Sequence, residues 1–124
     1  QISKLANQII VGVTIGAVAE AVTLCEKSGT NPSKMIEALS GGWADSKILQ
    51  THGKRMINKD FSPKGKTTTQ LKDMTNIINA GKAVNLHLPI SSLIKEMYKN
   101  LVEDGQGNTD HSSLYHVIEK LNKN

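Results

Sequence analysis

The chain has 124 residues, a formal net charge of +4, 38% hydrophobic residues and 21% charged residues. This length is typical of one domain, and the composition excludes a disordered or fibrous protein. Only 3% of the residues are aromatic and the basic residues are scattered. Nucleic-acid binding is therefore disfavoured, because both a basic cluster and a stacking platform for bases are missing.

The cysteine content and the hydropathy pattern argue against a disulfide-bonded, membrane-spanning or secreted protein. Cys25 is the single cysteine, which excludes an internal disulfide and favours a reducing, cytoplasmic compartment. The longest uncharged apolar stretch, Ile9 to Ala19, is too short to span a bilayer, and no signal-peptide pattern precedes it. We therefore expect no membrane partner.

A long first helix is predicted from Lys4 to Lys27, with Gly29 as its stop. Its middle is apolar on nearly all sides, so neighbouring helices should surround it. Gly12 and Gly16 lie about one turn apart on this helix. Either they allow another backbone to come close, or they are weak helix formers tolerated in a packed core, and the sequence leaves both possibilities open.

Capping residues mark the next two helices. Asn31–Pro32 is a typical helix start, and Gly41–Gly42 ends that short helix. Asp45 or Ser46 could cap the helix that follows. Each start combines a side-chain oxygen with a following apolar run, and this combination predicts two short amphipathic helices.

The second half of the chain predicts a loop and three more helices. The segment from Asn58 to Lys66 is rich in Pro, Gly and charge, which is typical of a surface loop, with Phe61 as its anchor. No segment has the alternation of a strand. We predict an all-α fold, with one helical domain over residues 1–124 and a long first helix. The later helices are expected at Thr68 to Val84, at Pro89 to Glu103, and after a cap at Thr109 or Asp110.

Polar residues at the start of the first helix are candidates for a site. Lys4, Asn7 and Gln8 share one helix face because they are spaced by three and four residues. A cation beside two amides suits an anionic, oxygen-rich ligand, although solvated side chains would produce the same pattern. The adjacent Lys72 and Asp73 point in different directions on a helix and are uninformative alone.

The histidines show no metal-binding motif. No HExxH sequence and no cysteine pair is present. Such spacings are the usual sequence signature of a zinc site. The sequence therefore predicts no metal site. The histidines concerned are His52, His87, His111 and His116.

The order of several segments resembles one family along nearly the whole chain. These segments read KLANQ, AEAVTL, NPSKMIEAL, LKDM, LPISSLIKEMY and GNTDHSSL. They resemble the C-terminal domain of the β-hydroxyacid dehydrogenases, the family of 3-hydroxyisobutyrate dehydrogenase and 2-hydroxy-3-oxopropionate reductase. The resemblance implies the helical domain of the 6-phosphogluconate dehydrogenase-like enzymes, which serves substrate binding and dimerisation.

The same resemblance implies an oxidoreductase and a set of site residues. It makes Lys4 the catalytic lysine, which acts as general acid when a semialdehyde is reduced to a short 3-hydroxy acid. It makes Asn7 and Gln8 substrate-binding residues, and it places Lys72 and Asp73 beside the nicotinamide. The substrate type implied most closely is a short 2-hydroxy-3-oxo acid.

Cofactor and assembly also follow from the resemblance. No G-x-G-x-x-G motif occurs in the chain, so NAD or NADP would be bound mainly by an N-terminal domain that this sequence lacks. A homodimer or tetramer and a small hydroxy- or oxo-acid substrate are expected. The alternative is a helical interaction module that retains the dehydrogenase-like fold without catalysis.

Near the implied site the chain departs from the family pattern at one place and matches it at another. The family commonly has an aromatic residue shortly before the LKD segment, where this chain has Gly65. Either Phe61 takes its place, or the cofactor pocket is looser or differently ordered. The run Asp110–Ser112 matches the family's C-terminal D-x-S region, where either substrate selection or helix capping would explain it.

Overall fold

The computed structural model describes residues 1–123 and contains helices without a strand in that range. The all-α prediction is therefore confirmed. A single antiparallel backbone bridge joins Lys66 to Asp110. The helices are α1 (Ile2–Lys27), α2 (Pro32–Leu39), α3 (Lys47–Asn58), α4 (Thr67–Ala83), α5 (Pro89–Glu103), a short 3-10 helix (His111–Leu114) and α6 (Tyr115–Leu121).

The first helix is the centre of the fold. It packs against every other helix of the described chain, as its apolar circumference predicts. Ile15, Ala19 and Val22 are completely buried. By length and composition alone α1 could also cross a membrane, but core helices pass the same test, and α1 lies among the other helices.

Gly12 and Gly16 are positions of close approach to α4 and α5. A Cβ atom on Gly12 would lie 2.9 Å from the Met74 sulfur, and one on Gly16 would lie 2.7 Å from Cδ1 of Ile94. Both distances are shorter than van der Waals contact. The nearest atoms belong to side chains and not to another backbone. These glycines therefore leave room for side chains of neighbouring helices in a packed core, and the close approach of a backbone is not what is observed.

Replacing Gly16 with leucine is expected to lower the free energy of unfolding by about 1–3 kcal/mol, because extra methylenes overpack a filled core. The matched control is Ala17→Leu, since Ala17 is the next residue on α1 and is exposed. Urea denaturation of both variants measures the difference. Equal midpoints for the two would show that the contact between Gly16 and Ile94 is readily relieved.

Side-chain caps set the helix starts as predicted, with one refinement. Asn31 accepts a hydrogen bond from the Ser33 amide at 2.9 Å. Ser46, rather than Asp45, caps α3, by accepting from the Leu49 amide at 2.9 Å. α1 begins at Ile2, slightly before the predicted start.

The last helical segment differs from the prediction of one continuous helix. Asp110 caps a 3-10 turn, in which the Ser113 amide donates to the Asp110 carbonyl at 2.9 Å, and α6 begins only at Tyr115. The Asp110 side chain also accepts a hydrogen bond from the Ser112 amide, at 3.0 Å.

Candidate functional site

The predicted polar cluster lies on the first turns of α1. Because this helix is continuous from Ile2, Lys4, Asn7 and Gln8 share one face. Lys4 and Asn7 are exposed and Gln8 is half-buried. The amide nitrogen of Asn7 donates to Oε1 of Gln8 at 2.9 Å.

Gln8 connects this cluster to α4. Its Nε2 donates to Oδ2 of Asp73 at 2.8 Å, across 65 residues of sequence. The KLANQ and LKDM segments therefore meet in space. Since both ends of the Gln8 amide are engaged by the protein, Gln8 holds Asp73 in place, and Lys4 and Asn7 are the residues of the cluster that face solvent.

Lys72 is also exposed on α4. Among residues 1–123, neither Lys4 nor Lys72 has a side-chain hydrogen bond or an ion pair. The structure thus brings Asn7, Gln8 and Asp73 together, and it leaves both ammonium groups accessible to a ligand. The roles of Lys4 and Lys72 stay predictions.

A second polar cluster surrounds Asp110, which is 1% exposed. Its carboxylate accepts hydrogen bonds from the amides of Lys64, Gly65 and Ser112, each at 3.0 Å, and from the Ser112 hydroxyl. Burial alone would raise the pKa of Asp110, but these hydrogen bonds hold it well below its usual range. The Asp110 side chain therefore fastens the loop after α3 to the 3-10 helix. Of the two explanations for the D-x-S region, capping is the one visible in this geometry.

Two histidines meet beside Asp110. The Nε2 atoms of His52 and His111 lie 2.8 Å apart. Burial lowers the pKa of both rings, that of His52 to about 4. Potential ligand atoms of His52, Asp110 and His111 all lie within 4.8 Å of one another. Sequence reasoning missed this cluster because local spacing carries no signal for residues so far apart, 59 positions in the case of the two histidines.

Gly65 explains how His111 is seated. A Cβ atom at position 65 would lie 3.0 Å from Nε2 of His111, so the imidazole occupies space next to a position where the family commonly has an aromatic residue. Phe61 does not take that place, because its ring packs on Tyr115 and His116, with centroid distances of 6.1 and 4.5 Å. The alternative in which Phe61 replaces the aromatic residue is therefore not observed, and a looser or differently ordered cofactor pocket stays a prediction.

Comparisons with known proteins identify the family. The family model for the NAD-binding region of NADP-dependent 3-hydroxyisobutyrate dehydrogenase matches residues 1–118. The chain is 39% identical over 121 residues to 2-hydroxy-3-oxopropionate reductase of Escherichia coli K12, covering 98% of this chain and 41% of that protein. It is 32% identical to a probable mitochondrial 3-hydroxyisobutyrate dehydrogenase-like protein of Arabidopsis thaliana, covering 98% and 36%.

Solved structures show the same fold. A 3-hydroxyisobutyrate dehydrogenase from Salmonella typhimurium superposes with a TM-score of 0.88 at 23% identity, over 94% of this chain and 41% of that one. A second, from Mycobacterium tuberculosis, gives 0.87 at 24% identity, over 95% and 43%. The chain thus spans about two fifths of the length of these relatives. From the family match over nearly its whole length, the chain belongs to the 3-hydroxyisobutyrate dehydrogenase family.

Proposed function

We propose that this chain is the helical C-terminal part of an NAD(P)-dependent dehydrogenase that interconverts a short 3-hydroxy acid and its semialdehyde. The proposed substrate type is that of 2-hydroxy-3-oxopropionate reductase, the relative with 39% identity. The observation that carries the proposal is the hydrogen bond from Gln8 to Asp73. This bond joins the KLANQ and LKDM segments into one polar site. Neither segment would indicate a site by itself.

Lys4 is the proposed general acid of this site. Its ammonium donates a proton to the carbonyl oxygen as negative charge develops there during reduction, and in the oxidising direction the amine takes the hydroxyl proton. The exposed Asn7 amide is placed to hold an oxygen of the substrate. Gln8 acts as a positioning residue, since its own amide is engaged by Asn7 and Asp73.

The cofactor proposal divides the binding site between two regions. When bound, the dinucleotide supplies or accepts the hydride. Lys72 and Asp73 fit the nicotinamide side of such a site, because Lys72 is an exposed cation and Asp73 is a carboxylate fixed by Gln8. Residues 1–123 contain no strand, hence no glycine-rich strand-to-helix turn to hold the pyrophosphate. We assign that turn to a further domain.

Self-association in the cytoplasm belongs to the same proposal. A largely apolar groove of about 190 Å³ lies between the start of α1 and the end of α4. Large apolar side chains are exposed near it, and contiguous exposed apolar surface is typical of interfaces. A second copy, in a dimer or tetramer, would cover them. The exposed ones that line the groove are Ile2, Val84 and Leu86.

A substrate panel tests the proposed function. A full-length polypeptide that carries this chain is expected to oxidise short 3-hydroxy acids with NAD or NADP, measured by absorbance of the reduced nicotinamide. The isolated 124-residue chain is expected to show no micromolar dinucleotide binding by calorimetry. Absence of turnover with every substrate would favour the non-catalytic module, and micromolar binding by the isolated chain would overturn the assigned division of the cofactor site.

A further inference from the structure

The His52 and His111 pair lies at a cavity of about 350 Å³, which Asp110 also lines. The pair is not among the residues assigned to the proposed reaction, although Asp73 is near enough to act on the charge of His111. Its two ring nitrogens approach to 2.8 Å, so the position of each imidazole proton decides what can lie between them.

The proton of His52 is fixed by Thr51. The Thr51 hydroxyl donates to the Lys47 carbonyl at 2.8 Å, so its oxygen acts as the acceptor toward Nδ1 of His52, 2.9 Å away. Nδ1 therefore carries the hydrogen. In a neutral imidazole this leaves a lone pair on Nε2, the atom that faces His111.

The proton of His111 is fixed in the same way by Gln70. Nδ1 of His111 lies 3.2 Å from Oε1 of Gln70, while the amide nitrogen of Gln70 donates to the Met74 sulfur at 3.7 Å. A carbonyl oxygen only accepts, so Nδ1 of His111 carries the hydrogen. With this orientation of the Gln70 amide, the Nε2 lone pair of His111 faces that of His52, and a cation would accept both lone pairs.

We propose that His52 and His111 bind one transition-metal cation of the Zn²⁺ class through their Nε2 atoms. Metal-binding histidines almost always donate their other ring N–H to a fixed acceptor, as both do here. Zinc–nitrogen bonds of about 2.0–2.1 Å in tetrahedral geometry place two nitrogens about 3.3 Å apart. The rings therefore need to separate by about half an ångström and to turn by about 35° each, so that both lone pairs point at the metal. The cavity leaves the other two tetrahedral positions open to water or a small ligand.

The surrounding charges tolerate a cation at this position. Arg55 is the nearest guanidinium, and it is offset by Asp110 at 3.4 Å and Asp60 at 3.9 Å. Asp110 lies outside the proposed ligand set because its oxygens already accept hydrogen bonds. Lys64 also lines the cavity, but its side chain is exposed and its charge is screened by solvent.

The room beside His111 comes from Gly65, since a Cβ atom there would lie 3.0 Å from Nε2 of the ring. A glycine at this position therefore lets the imidazole of His111 sit at the cavity opposite His52.

Zinc titration of the metal-free chain tests the proposal. With a chromophoric chelator as competitor, we expect one Zn²⁺ per chain. His52→Ala and His111→Ala should each weaken binding by more than about 100-fold, since losing a ligand exceeds the 10–100-fold effect of losing an outer hydrogen-bond partner. The matched control is His87→Ala, because His87 is exposed and should leave the affinity unchanged. Unchanged affinity in His52→Ala would overturn the proposal.

Nitrogen NMR of the unaltered chain provides a test that does not depend on a variant folding. Both histidines are expected to carry their proton on Nδ1, and added Zn²⁺ should shift the Nε2 resonances of these two rings. If the Gln70 amide instead donates to His111, one ring will show a proton on Nε2, directed at the other as an ordinary N–H···N hydrogen bond. That spectrum, unaltered by Zn²⁺, would also overturn the proposal.

Discussion

Replacing Lys4 with alanine in the full-length enzyme is expected to lower kcat by about 10²–10⁴-fold, the usual contribution of a positioned general acid. The loss should fall on kcat more than on KM, because the proton is transferred in the transition state. Folding should be unaffected, since Lys4 is exposed and has no side-chain partner among residues 1–123. Steady-state kinetics and the thermal midpoint measure the two effects.

The matched control for this variant is Lys34→Ala, another exposed lysine on the surface of a helix. It should leave both kinetic constants unchanged. Lys4→Arg is informative as well, because arginine keeps the charge but does not release its proton at ordinary pH. Near-normal kcat in Lys4→Ala would refute the assigned role, and full activity in Lys4→Arg would reduce it to charge stabilisation alone.

Replacing Asp110 with alanine is expected to lower the free energy of unfolding by about 3 kcal/mol or more, because hydrogen bonds to a buried charge are strong and their donors would be left unpaired. The donors are the amides of Lys64, Gly65 and Ser112 and the hydroxyl of Ser112. Urea denaturation measures the loss. Asp104→Ala is the control, since Asp104 is exposed and bonds only to Lys120.

The Asp110 carboxylate should also account for part of the loss of folding stability at low pH. The pKa of Asp110 is lower in the folded chain than in the unfolded one, where it is about 3.9. Its contribution to stability is therefore complete above about pH 4 and is lost as the pH falls further. Asp110→Asn should flatten the acid limb of the stability curve. An unaltered limb would show that other carboxylates dominate acid unfolding.

Most of the helical framework could be predicted because its signals are local. Asn31 and Ser46 cap their helices through amides two or three residues away, and such contacts depend only on nearby sequence. The division of the last helix could not be foreseen. The 3-10 turn follows Asp110, whose carboxylate also binds amides from a distant loop, and local sequence carries no signal for such a contact.

Part of the candidate site could likewise be predicted from local sequence, and part could not. Helical periodicity alone predicts that Lys4, Asn7 and Gln8 share a face. The hydrogen bond between Gln8 and Asp73 could not be predicted from periodicity, because it requires α1 and α4 to pack closely, as they do where Gly12 meets Met74. The resemblance to a family places both segments in one site, but it does not pair these two side chains.

Lys4 lies near the end of a helix whose middle is buried in the core, so a small tilt of α1 about that middle displaces Lys4. Ile15 is completely buried, and it lies about 16 Å along the axis from Lys4 at 1.5 Å per residue. A tilt of about 4° around Ile15 would therefore move the Lys4 backbone by about 1 Å, a displacement that can cost an enzyme about 100-fold in rate. If Lys4 has the proposed role, repacking deep in the bundle can thus alter the rate without a change in any residue of the site.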